Sequence, residues 1–397
     1  MKDGKSNWLE EHPLFAIGLA TTIGLMLTIF AAEKTLAWVN SGNERPGAVR
    51  YVRLRENPPR TVHSVRPTES YLRATGTFDS AKHRLKIDEN GFIYPSRVHA
   101  TPDLNLVFLG GSTTECLYVE EENRFPYVVG RLLERDGKKV NSYNGGVAGN
   151  HSLHSIDALI NKVMPLHPEI VVMMHNINDL AVLLHEGTYW NDSPTRSLIF
   201  EDSFRHSFIS TSKNLKDMLI PNLYIALRDA YYRTAQWLGK PPDEFQRARQ
   251  HAMAVSHETL VKEFESNLQI FIDISRAYNV TPVLMTEASR LKEEPDPTVR
   301  GGMGNLPIDL DFEYGELREL FLTFNATIRR VGTRNAVLVI DLEKAVPQEP
   351  DYIYDVIHFS DKGSKHVAKI IASELAKVLS VSRRIRVVRG RSGDVTQ

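Results

Sequence analysis

Cysteine is almost missing from this chain. Cys116 is the only one in 397 residues, so no intrachain disulfide can form and a disulfide-stapled scaffold is excluded. Charge of one sign is missing as well. The 48 lysines and arginines meet 49 aspartates and glutamates, a net charge of −1, which gives no reason to expect nucleic acid as a partner. No internal repeat or low-complexity segment stands out. The length is ample for one large domain with an appendage, or for two domains.

Charge is also absent from one whole stretch. Leu14 to Ala32 carries no charged residue, while the chain averages a mean hydropathy of −0.28. About twenty such residues span a bilayer core as a helix. The alternative is a buried core helix, which fits less well because nothing in the run offers a polar face. A cleaved signal peptide fits poorly, because Glu10 and Glu11 precede the run and Phe30-Ala31-Ala32 puts a bulky residue where a small one is needed. Residues 14–39 therefore read as an uncleaved single-pass membrane anchor after a short flank, 1–13. Lys2 and Lys5 lie before the span and Lys34, Arg45, Arg50 and Arg53 after it; counted naively, that charge bias keeps the large domain in the cytoplasm.

Residues 40–100 hold Pro46, Pro58, Pro59 and Pro67 with little periodicity, and read as an extended stalk that becomes ordered near Leu85 to Tyr94. There Asp88-Glu-Asn-Gly91 predicts a turn between two strand-like pieces. From about residue 101 to 382 the pattern alternates. Strands are predicted at Leu104–Leu109, Val140–Tyr143, Ile170–Met174, Val280–Thr286 and Ala336–Asp341. Helices are predicted after Ser112, around Phe125–Leu133, over His151–Met164, over Leu317–Val331 and over Asp361–Leu379. Such alternation predicts an α/β fold, with a parallel sheet covered by helices on both faces. A segment of about 181–259 interrupts it. It opens on a loop with Tyr189 and Trp190, continues through a helical stripe of Leu223, Leu227, Tyr231, Thr234 and Leu238, and returns by a helix bearing Leu260, Phe264, Leu268 and Phe271. These stripes read as packing against the main domain, with the first part overhanging the strand ends. The tail, 383–397, is basic and reads as a solvated end.

Chemistry-bearing residues fall at the predicted strand ends, where open α/β sheets bind ligands. After the first strand come Gly110-Gly111-Ser112-Thr113. The glycines allow a sharp turn, and a serine there projects its hydroxyl into the crevice. Alone, the same stretch reads equally as a helix N-cap or a phosphate-cradling loop. After the second strand, Asn144-Gly-Gly-Val-Ala-Gly149-Asn150 leaves backbone N–H groups uncovered. After the third, His175-Asn-Ile-Asn178-Asp179 places an amide that can aim into the crevice and a carboxylate that can cap or brace the loop. Near the C-terminus, Asp355 and His358 stand three apart in Tyr354-Asp-Val-Ile-His-Phe359. Acyl transfer by a serine needs a base, a group that orients the base, and donors for the oxyanion, and these stretches offer one candidate for each. A metal pair at Asp355 and His358 is the alternative, but no further ligand stands at zinc spacing, so no metal or other cofactor is expected.

Gly-Gly-Ser112-Thr, Gly149, Asn178-Asp179 and Asp355-x-x-His358, in this order and each after a successive strand, resemble the four blocks of the SGNH (GDSL-type) hydrolases. The resemblance spans about 104 to 380, less the insertion. It implies a three-layer α/β/α sandwich with a flavodoxin-like sheet of about five parallel strands. It implies Ser112 as nucleophile, His358 as base with Asp355 as its partner, and an oxyanion hole of the Ser112 and Gly149 N–H groups and the Asn178 side chain. Gly111 stands where the family usually has an aspartate. The Gly-Gly-Ser-Thr-Thr form, with Asp88 to Phe92 ahead of the first strand, looks like a membrane-anchored bacterial subgroup, which favours an extracytoplasmic catalytic domain. By this analogy the expected activity is a serine esterase removing small acyl groups, such as acetyl, from a surface glycan or another ester. The alternatives are an O-acyltransferase using the same site with a membrane acyl-donor partner, and a catalytically silent envelope scaffold.

Overall fold

In a computed structural model of the protein, the structure describes residues 12–40, 54–67, 82–134, 137–191, 255–299 and 314–392, with the single residues 72, 198, 230 and 234. The chain divides into two compact units after Val49. In the first, the uncharged run is one helix, α1 (Pro13–Asn40). Its stretch Pro13–Ala32 has a mean hydropathy of 2.1 with none of it buried, and by length and composition it is able to cross a membrane. Thr22 and Thr28 return their hydroxyls to the carbonyls of Gly18 and Gly24, so these polar groups are satisfied inside the helix.

The second unit opens on a small antiparallel pair, β1 (Val62–Val65) with β2 (His83–Lys86). The main sheet comprises β3 (Leu104–Gly110), β4 (Val140–Gly146), β5 (Ile170–Met174), β6 (Thr281–Met285) and β7 (Leu338–Ile340). All five are parallel, in the order β4-β3-β5-β6-β7. The helices between them are α2 (Ser112–Glu115), α3 (Phe125–Leu133), α4 (Ser152–Ala158), α5 (Ile177–Glu186), α6 (His257–Ala277), α7 (Tyr314–Arg334), α8 (Leu342–Ala345) and α9 (Asp361–Ser392).

Both faces of the sheet are covered, which is why its strands are continuously apolar rather than alternating. Leu106, Phe108, Val172 and Met174 pack with Phe125, Val129, Val367 and Ile371 from α3 and α9 on one side. Val107, Leu109, Val171 and Met173 pack with Ile156, Phe264, Phe271, Phe321 and Phe324 from α4, α6 and α7 on the other. The result is the three-layer α/β/α sandwich expected. The first strand, β3, has its successor β4 on one side and β5 on the other. The chain thus changes winding direction at β3, and the crevice at its carboxyl end is the ligand position of such sheets.

Three expectations change. From residue 54 the presumed stalk is packed onto the domain: Asn57 donates to the Gly146 carbonyl, and Lys162 pairs with Glu56 at 2.6 Å. The turn at Asp88–Gly91 forms, with the Asp88 carboxylate accepting from the Asn90 and Phe92 N–H groups, but the piece beyond it is only a bridge (Ile87 to Ile93) and β2 pairs instead with β1. The helix predicted over His151–Met164 is α-helical only to Ala158 and continues as a π-turn, Leu159–Val163. Most of the insertion, including Leu223, Leu227, Tyr231 and Leu238, lies outside the described residues, as do Pro46 of the stalk and the end of the basic tail.

Candidate active site

Gly110 and Gly111 turn the chain at the end of β3, and α2 begins at Ser112 itself. Neither glycine has a positive φ; both are required by close approach. A Cβ on Gly110 would drive into Thr114, and one on Gly111 would drive into the amide nitrogen of Asn178 and lie 3.2 Å from the Asn150 carbonyl. The first turn of a helix leaves its N–H groups without intrahelical partners, and Ser112 is the first residue of α2.

The loop after β7 and α8 brings His358 to this turn. His358 Nε2 lies 2.8 Å from Ser112 Oγ, and His358 Nδ1 lies 2.6 Å from Asp355 Oδ2. The other Asp355 oxygen accepts from the His358 and Ile357 backbone N–H groups at 2.7 and 2.9 Å, so the carboxylate cannot swing away. With Nδ1–H donating to the carboxylate, Nε2 is left as the acceptor for the serine hydroxyl. Burial pushes the His358 pKa down, but Asp355, by charge and hydrogen bond, and the Glu287 and Glu115 charges more than offset it, so the imidazole is more basic than usual. Tyr354 stacks on the imidazole at 5.8 Å between centroids, and Arg290 holds the preceding turn by donating to the Ile353 and Tyr354 carbonyls.

The other two blocks converge on the same turn. Gly149, at φ +75°, sits in the loop after β4, a left-handed conformation that costs glycine little. Asn178, 8 % exposed in the first turn of α5, donates from Nδ2 to the Asn150 carbonyl at 3.0 Å. Its amide is thereby locked against Gly111 beside Ser112. Asp179 points the other way. Fully buried, it accepts from the Ser152 N–H at the start of α4 and from the Ser152 and Tyr189 hydroxyls, and burial, offset in part by those donors, pushes its pKa up to about 7. It braces the loop rather than lining the crevice.

Sequence reasoning missed four contributors. Glu287, 4 % exposed at the end of β6, accepts from Thr113 Oγ1 at 2.8 Å and from the Ile177 N–H at 3.0 Å, joining the serine turn to the Asn178 loop. Its backbone is held by Asn325 of α7. Glu115, 5 % exposed, is pushed up to about 7 by burial against the pull of Arg124, His358, the Ala148 N–H and Arg55. Thr113 and Arg55 complete the set. Thr113 stood inside the Gly-Gly-Ser-Thr block without a role assigned to it, and Glu287 left a signal as a carboxylate following a strand. Among the described residues no group of three or more His, Cys, Asp or Glu is arranged to hold a metal ion.

A serine, an imidazole and a carboxylate within hydrogen-bonding distance of one another, at the carboxyl edge of a parallel sheet inside an α/β/α sandwich, form the arrangement that serine hydrolases use. The family model for GDSL-like lipases/acylhydrolases matches residues 108–366, and the chain belongs to that family of ester-bond hydrolases. Solved structures similar to the chain include an acetylxylan esterase from Geobacillus stearothermophilus (15 % identity, 69 % of this chain and 94 % of that one, TM-score 0.41). Others are an alpha/beta hydrolase enzyme from the metagenome of Lake Arreo (15 %, 69 % and 95 %, TM-score 0.39) and the lipase/acylhydrolase from Enterococcus faecalis (17 %, 68 % and 95 %, TM-score 0.39). No curated protein matches the sequence significantly.

Proposed function

We propose that the protein is a membrane-anchored serine esterase that works through an acyl-enzyme and removes small acyl groups, such as acetyl, from an acylated glycan or similar ester. The observation that carries this reading is the continuous relay from Ser112 Oγ through His358 to Asp355, at 2.8 and 2.6 Å. His358 Nε2 takes the serine proton as Oγ bonds to the ester carbonyl carbon. The developing oxyanion is met by the Ser112 and Gly149 N–H groups and the Asn178 amide. Collapse of the tetrahedral adduct breaks the bond to the alcohol, which leaves with the proton from His358. Water then attacks the acyl-serine by the same route in reverse, releasing the acid. Asp355 holds the imidazole in the tautomer that accepts at Nε2 and stabilises the imidazolium. The apolar length of α1 supports anchoring in a membrane, with residues from Arg50 onward as the catalytic domain.

The test is active-site labelling of purified full-length protein with a fluorophosphonate, and turnover of acetylated sugars and short-chain aryl esters. Wild type labels and turns over; Ser112→Ala does neither, and His358→Ala slows acylation by roughly 10³-fold or more. Equal labelling of wild type and Ser112→Ala refutes the assignment. Offering a glycan acceptor beside water in the same assay separates hydrolysis from acyl transfer, since the two differ only in what attacks the acyl-enzyme.

A further inference from the structure

The segment just before β1 reaches across to the loop that carries Gly149. Arg55 donates from Nη2 to the Ala148 carbonyl at 3.1 Å and from Nη1 to the Gly149 carbonyl at 3.4 Å, while its own carbonyl accepts from Asn150 Nδ2 at 3.1 Å. Arg55 lies outside residues 108–366, so none of the four blocks includes it.

The Ala148 carbonyl and the Gly149 N–H belong to one peptide group. That group is planar and trans, so its C=O and N–H point in opposite directions, and fixing one fixes the other. Gly149 at φ +75° makes the group easy to rotate, because glycine tolerates either sign of φ. Without a restraint on the carbonyl, the N–H is free to turn out of the crevice. A guanidinium on the carbonyl supplies that restraint. It also polarises the amide, which strengthens the N–H as a donor. From these contacts we infer that Arg55 is a positioning residue for the reaction: it aims and polarises the Gly149 N–H toward the oxyanion, and it makes the short segment just before β1 part of the working site. The inference rests on the esterase reading above. The preceding peptide is held from the other side, since the Ala148 N–H donates to the buried Glu115 carboxylate, so only the Gly149 end depends on Arg55.

Removing the side chain leaves the segment attached, because the Lys162–Glu56 pair and the Asn57–Gly146 bond remain. Full-length Arg55→Ala and Arg55→Lys are compared with wild type on a short-chain aryl ester, on a trifluoromethyl ketone that binds Ser112 as an oxyanion, and by amide hydrogen exchange of the 146–150 loop. Arg55→Ala is expected to lose roughly 10- to 100-fold in kcat with KM nearly unchanged, and to lose ketone affinity in parallel. Arg55→Lys, a single ammonium in place of a fork that reaches two carbonyls, falls between. Exchange of the loop amides quickens in Arg55→Ala. Wild-type kcat and ketone affinity in a folded Arg55→Ala overturn the inference, and so does a loss carried entirely by KM, which would make Arg55 a substrate contact. Hydrogen exchange needs no substrate, so unchanged protection overturns it even where wild type turns over no ester, the outcome that instead sinks the esterase reading.

Discussion

Adding a single methyl group at Gly111 tests the geometry of the whole site. The backbone there has a negative φ (φ −88°, ψ −152°), so alanine meets no left-handed penalty. The new Cβ would instead press into Asn178 Nδ2, with the Asn150 carbonyl 3.2 Å away to block sideways escape. Non-bonded atoms of this kind settle near 3.4 Å or beyond, so the amide must retreat on the order of 1 Å. That retreat stretches or breaks its 3.0 Å bond to Asn150 and withdraws the donor from the oxyanion. Loss of one such donor costs about 10²- to 10³-fold in kcat, or about 3 to 4 kcal/mol of transition-state stabilisation, whereas overpacking one methyl costs about 1 to 3 kcal/mol of stability. The assay is kcat and KM on a short-chain aryl ester with a thermal melt in parallel, on Gly111→Ala, Asn178→Ala and the double variant. If the methyl acts through the amide, Gly111→Ala costs about 10²-fold alone and almost nothing more in the Asn178→Ala background. Additive losses, or an unimpaired Gly111→Ala, refute the reasoning.

The remaining predictions concern the base and its loop. The raised pKa of His358 puts the acid limb of kcat/KM above the ordinary histidine value. A nearby negative charge favours the imidazolium, so removing one lowers the pKa and moves that limb to lower pH. Glu287→Gln is expected to do this with little change in plateau rate, because a glutamine can accept from the Ile177 N–H and donate to Thr113; a limb that stays put or moves up contradicts the electrostatics. The carboxylates of Asp355 and Glu115 also face the imidazole, and Asp355→Asn should shift the limb in the same direction with a large loss of rate. Gly363 lies in the first turn of α9, where helix propensity alone credits alanine with about 1 kcal/mol. A Cβ there would run into the Tyr352 carbonyl and push the loop bearing Asp355 and His358. Gly363→Ala should therefore lower the melting temperature and kcat together, and a more stable, fully active variant would contradict the packing.

Local patterns carried far in this chain. The uncharged run at 14–32 specifies a bilayer-length helix by itself, because transfer free energy depends on composition and length rather than on neighbours. The alternation of apolar strands with helical stripes specifies a doubly covered parallel sheet, since a strand apolar on both faces must be buried on both. The Gly-Gly-Ser turn, the Asn-Asp pair and the Asp-x-x-His spacing are each compact enough to be read in one window. Partners far apart in the chain are another matter. That Thr113 meets Glu287, that Asn178 fills the space a Cβ on Gly111 would take, and that a stretch read as a loose stalk supplies Arg55 to the Gly149 loop all follow from packing, and no periodicity encodes them. Propensity and pattern act over a few residues. Which carboxylate ends up buried beside which hydroxyl is decided only when the sheet closes and water leaves the crevice.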